Sequence, residues 1–179
     1  MAVQAIPASQ RRLSILGDDE RDALYGQPRF TPDEREHYLA LSPFEHEAVQ
    51  DLRSVKSQAY VVLQLGYCKA KALLFTFDLH DVQEDLDYIM THSFPPQVLT
   101  ALSPIDKGTR LKPQRMILAL CQYQNCDREH RHHLEAKAQQ AAMVCAKPVY
   151  VFRELLHYLA EHRLVRPGYS FMQDTVGKA

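Results

Sequence analysis

The chain has 179 residues, 46% hydrophobic and 24% charged, with a formal net charge of -1. That is long enough to bury a sizeable core and ordinary for a globular protein, which excludes a disordered or low-complexity chain. The start lacks the basic and apolar regions of a signal peptide, and the four cysteines fit no paired framework, so a cytoplasmic protein with free thiols is expected.

Charge is banded along the chain. Residues 1–52 carry ten acids and five bases, and residues 76–106 carry six acids and no base. Residues 53–75 and 107–126 each carry four bases and no acid. Such banding permits a positive face on a neutral protein.

Residues 1–10 read as a loose tail. Asp18-Asp19-Glu20 opens a short helix that Gly26 closes. Thr31-Pro32-Asp33-Glu34 combines a cap, a proline at the first helical position and an acid three residues on. Ser42-Pro43-Phe44-Glu45 repeats that signal. Helices are therefore predicted over 32–40 and 43–53, with Tyr38, Leu39 and Leu41 inward on the first and Phe44, Val49 and Leu52 inward on the second. The stretch 57–75 is apolar nearly all the way round at helical period, as a buried helix must be. A helix over about 55–75 is expected, capped by Ser54 or Ser57, with Lys69 and Lys71 at a solvated end. A buried strand pair, Tyr60–Leu65 and Ala72–Phe77, is the rival local reading. The run is too short and too lysine-rich at its end for a membrane span.

Asp78 caps a helix over 79–92, and Pro95-Pro96 start a short one through Leu102. Further helices are expected over 113–124, with Arg115 outward, 128–145 behind an Asp127 cap, and 148–162. Ser170 is expected to cap a last helix that reaches the chain end. The whole reads as all-α: a multi-helix bundle around a buried central helix, in two subdomains (1–105 and 106–179) or one compact domain.

The last thirty residues read as helix, Pro-Gly turn, helix, the layout of a helix-turn-helix. In that geometry Tyr169, Ser170 and Gln173 would meet base edges, with Arg163, Arg166 and Lys178 available for phosphates. Arg163→Ala or Arg166→Ala should then weaken binding to every sequence, and Gln173→Ala should relax preference at one base pair. The same pattern fits a plain antiparallel hairpin. A second candidate is the basic run Lys107, Arg110, Lys112 and Arg115, leading into a helix N-terminus that favours phosphate; its alternative is a solvated loop. Cys126, His130, His132 and His133 lack the paired half-sites of a zinc site and read as a surface cluster. There is no phosphate loop, nucleophile motif or metalloprotease signature, and no cofactor is expected.

The succession Arg29-Phe30-Thr31, Leu41-Ser42, Leu63-Gln64-Leu65-Gly66 and His162-Arg163-Leu164-Val165-Arg166-Pro167-Gly168-Tyr169-Ser170, a hydrophobic-x-Pro-Gly-x-Ser turn, resembles the N-terminal domain of transposases of the Tn-three family, over about residues 11–176. The resemblance implies a bacterial, helical DNA-binding module for double-stranded terminal inverted repeats, with self-association or a full-length transposase as further partners. The family's catalytic core lies downstream of this module, so no cutting or joining is expected of this chain alone. The chain departs from the family pattern at Ser57-Gln58-Ala59-Tyr60, where Asn-Arg-Leu-Gly is common, and carries fewer arginines over 109–115. A helical protein-interaction or regulatory domain that binds a transposase or another basic partner is the alternative, suggested by the near-zero net charge and the acidic segments.

Overall fold

The computed structural model describes residues 13–94 and 113–179. These form an all-α fold with helices α1 (Asp18–Tyr25), α2 (Pro32–Leu39), α3 (Pro43–Gln50), α4 (Val55–Lys71), α5 (Gln83–His92), α6 (Gln114–Leu120), α7 (Arg128–Val144), α8 (Pro148–Glu161) and α9 (Tyr169–Lys178). A 3₁₀ turn, Leu79–Val82, precedes α5. The helix expected over 95–102 lies outside the described residues.

Local side-chain caps set the starts of α2, α3, α4 and α7. At α2 the Thr31 hydroxyl accepts from the Glu34 N–H at 3.3 Å while Glu34 accepts from the Thr31 N–H at 2.9 Å. Ser42 and Glu45 repeat the reciprocal pair at α3. Two otherwise unpaired backbone donors are satisfied at each start. Ser54 caps α4 and Asp127 caps α7.

α4 is the axis of the first core. Every residue from Ala59 to Cys68 is buried, including Gln64 and Gly66. α2, α3, α5 and α6 pack around it, bringing Leu39, Val49, Leu86, Ile89 and Ile117 into one cluster. A second core lies between α7, α8 and α9 around Leu134, Phe152, Leu155 and Met172. Leu16 is buried in that second core, with Leu24 and Tyr25 packed against it. Packing thus groups α1 with the late helices and α6 with the early ones.

The central helix ends four residues earlier than its apolar run. Ala72 adopts φ 51°, a left-handed cap whose N–H bonds the Cys68 carbonyl. The segment that follows carries no regular secondary structure and is gripped by Gln64, whose side-chain amide donates to the Phe75 carbonyl at 2.9 Å and accepts from its N–H at 3.3 Å. A buried side-chain amide thereby replaces a backbone partner, and Phe77 returns to pack on the Tyr60 ring at 5.0 Å. A left-handed alanine costs about 1–2 kcal/mol, partly offset by the extra unfolded-state freedom of glycine. Ala72→Gly is therefore expected to raise stability by about 0.5–1 kcal/mol in urea denaturation; a loss would place the strain elsewhere.

Other sequence expectations are corrected. Phe44 is 71% exposed rather than inward, because Glu45 takes the buried position on α3. α6 stops at Leu120 and turns through Gln122 at φ 56°. Gly168, not Ser170, is the N-cap of α9, and the Ser170 side chain is exposed in the first turn.

Candidate nucleic-acid interface

The turn between α8 and α9 is held from two sides. Arg163, at φ 50°, lies two residues past the end of α8, and its carbonyl accepts from the Gln124 N–H at 2.8 Å. The Val165 N–H returns a bond to the Gln124 carbonyl, forming an isolated parallel bridge between Gln124 and Leu164. One residue on, the Arg166 N–H bonds the Ala72 carbonyl at the end of α4. These backbone bonds fix the angle at which α9 leaves the turn, which a helical hairpin with a solvated connection would lack.

Several of the side chains expected to meet DNA have duties within the fold. The Arg163 guanidinium donates to the carbonyls of Gln122 and Cys121, each at 3.1 Å, and lies 5.0 Å over the Tyr123 ring. It caps the end of α6, where free carbonyls and the helix dipole favour a cation. Arg166 donates to the Leu24 carbonyl at 2.5 Å and lies 5.4 Å over the Tyr25 ring. Burial pushes its pKa below the usual guanidinium value. Tyr169 is half-buried against Tyr25 and Phe152, with centroids 5.4 and 6.0 Å away. Gln173 donates to the Leu13 carbonyl at 2.6 Å and so anchors the segment leading into α1. Arg115, Ser170 and Lys178 are exposed. Lys107, Arg110 and Lys112 lie outside the described residues.

Lys69 and Lys71, expected at a solvated helix end, instead clasp neighbouring elements. Lys69 pairs with Glu45 at 2.8 Å and reaches the Ala40 carbonyl at 3.3 Å. Burial alone would raise the Glu45 pKa, but the Lys69 ammonium and the Ser42 cap outweigh it and hold the carboxyl below its ordinary value. Lys71 donates to the Ala23 carbonyl at the end of α1. Sequence offered no signal for either contact, since the partners lie in other helices.

A cavity of about 590 Å³ opens beside the first core, lined by Arg29, Arg35 and His80 with Asp22, Asp81 and Glu84. Its central cation is already engaged: Arg35 bonds Asp85 at 2.7 Å and Glu84 at 2.5 Å. The Tyr67 hydroxyl donates to the other Asp85 oxygen at 2.7 Å; burial, then that carboxylate, raise the phenol's pKa. Among the described residues no group of three metal-capable side chains converges. His130 bonds the Asp127 cap at 2.7 Å, and His132 lies 3.4 Å from Glu135.

Fold and surface together define an all-helical domain of two cores with a backbone-locked helix-turn-helix-like end. The chain belongs to the family described as a domain of unknown function (DUF4158), whose model matches residues 15–179. No curated protein matches it. No helix among the described residues is long and apolar enough to cross a membrane.

Proposed function

We propose that this domain binds double-stranded DNA at the terminal inverted repeats of a transposon, as the N-terminal module of a Tn-three-type transposase, without catalytic activity of its own. The observation that carries the reading is the turn before α9, held by backbone bonds to Gln124 and to Ala72. Ser170 is the exposed side chain of the first turn of α9, while Arg115 and Lys178 offer exposed charge to phosphates. The sequence resemblance spans the same segments and supports the target class.

A titration of inverted-repeat duplex against scrambled duplex at two salt concentrations tests it. With four to six phosphates neutralised, the log–log salt slope should be roughly -4 to -5. Arg115→Ala and Lys178→Ala should each make it less negative by about 0.9 while leaving thermal stability unchanged. Arg166→Ala should instead lower stability as well, by about 1–3 kcal/mol, because it strips a donor from the half-buried Leu24 carbonyl. Absence of a complex at low salt would sink the proposal.

A protein-interaction domain is the second reading, favoured by an apolar patch where α7 meets α8. Val144 is 90% exposed and Tyr150 46%, and both line a cavity of about 560 Å³. Exposed apolar residues gathered in one place commonly mark a contact surface.

A further inference from the structure

Between the two cores, where α4 ends against α8, lies a cavity of about 190 Å³. Lys69, Lys71 and Arg166 line it together with Tyr123 and an apolar wall that includes Leu156 and Leu159, and no carboxylate is in its lining. Lys69 is matched by Glu45. The other two cations are not matched in this way. Lys71 and Arg166 donate to adjacent carbonyls, Ala23 and Leu24, at the end of α1. Among the described residues neither forms a salt bridge; Asp22 and Glu34 act on Lys71 only at longer range.

Two like charges are thus held side by side at partial burial. Burial first, and then the Arg166 charge, push the Lys71 ammonium below its ordinary pKa. The dipole of α1 offsets this only in part, since a helix end contributes about 0.3–1 kcal/mol per cation. Each side chain keeps unused donors: an ammonium has three and a guanidinium five. The space is several times the roughly 30 Å³ share of one water, enough for a tetrahedral oxyanion. An apolar wall lowers the local dielectric and strengthens any charge attraction there.

We propose that this cleft binds a phosphate group, from a nucleic-acid backbone or free in solution, between Lys71 and Arg166. The site stands on α4 and the turn rather than on the leading edge of α9, and it needs no duplex to form.

The full chain is titrated with inorganic phosphate against chloride at fixed ionic strength, followed by ¹H–¹⁵N spectra. Saturable shifts are expected at the amides of Ala70, Ala72 and Arg166. Lys71→Gln keeps a donor for the Ala23 carbonyl but removes the charge, and should weaken phosphate about tenfold; Lys71→Arg should retain it. If Lys71→Gln does not fold, the wild-type shift map decides, with shifts away from the cleft overturning the site. In a second arm the inverted-repeat duplex is titrated with both variants. A slope less negative by about 0.9 in Lys71→Gln identifies the ligand as a backbone phosphate, and an unchanged slope with cleft shifts identifies free phosphate. Cleft shifts without any duplex binding would overturn the DNA reading and leave this site standing. Duplex binding with neither cleft shifts nor a slope change would overturn this site alone.

Discussion

Asp85→Ala should lower the unfolding free energy by about 3–5 kcal/mol, the usual cost of removing one partner from a buried ion pair. Asp85 is 5% exposed and joins three helices: its oxygens accept from Arg35 of α2 and from the Tyr67 hydroxyl of α4, each at 2.7 Å, while Asp85 itself sits on α5. The substitution leaves a guanidinium with Glu84 as its remaining carboxylate, and Glu84 is solvent-exposed. Tyr67→Phe, which removes only the neutral donor, should cost about 0.5–1.5 kcal/mol. Urea denaturation of both variants checks the ordering. Equal costs would mean that Arg35 draws its stabilisation from Glu84 and solvent, not from the buried carboxylate.

Gly66→Val should be nearly as damaging, at about 3 kcal/mol, because it overfills the crossing of α2 and α4. A Cβ on Gly66 would lie 2.4 Å from Leu39 Cδ2 and 3.1 Å from the Tyr38 carbonyl oxygen. Leu39 is fully buried and has little room to retreat. Gly66→Ala should cost less, since it adds only the Cβ and its better helix propensity, about 1 kcal/mol over glycine, offsets part of the crowding. The two variants compared in one denaturation series separate crowding from propensity. If valine and alanine behave alike, the helices move apart freely and the crossing is not tight.

The same glycine shows how far a motif can be read. Leu63-Gln64-Leu65-Gly66 carries part of the family resemblance, and its structural content is packing: two core leucines, an amide that grips Phe75, and a gap that admits Leu39. Nothing in the four letters distinguishes such a role from contact with a ligand. The turn motif behaves likewise. Arg163, Arg166 and Gln173 look like free surface groups in sequence, yet all three donate to carbonyls between 41 and 160 residues away.

Helix class and the starts of α2, α3, α4 and α7 were decided by the sequence alone, because a capping side chain bonds a backbone N–H three residues on. Burial of α4 was also legible, since an apolar surface on every side has no other stable placement in water. Where α4 stops, which core α1 joins, and what the cations touch were decided only by the tertiary structure. Those outcomes depend on carbonyls and carboxylates brought close by packing, and a cation's nearest partner in space has no fixed distance along the chain.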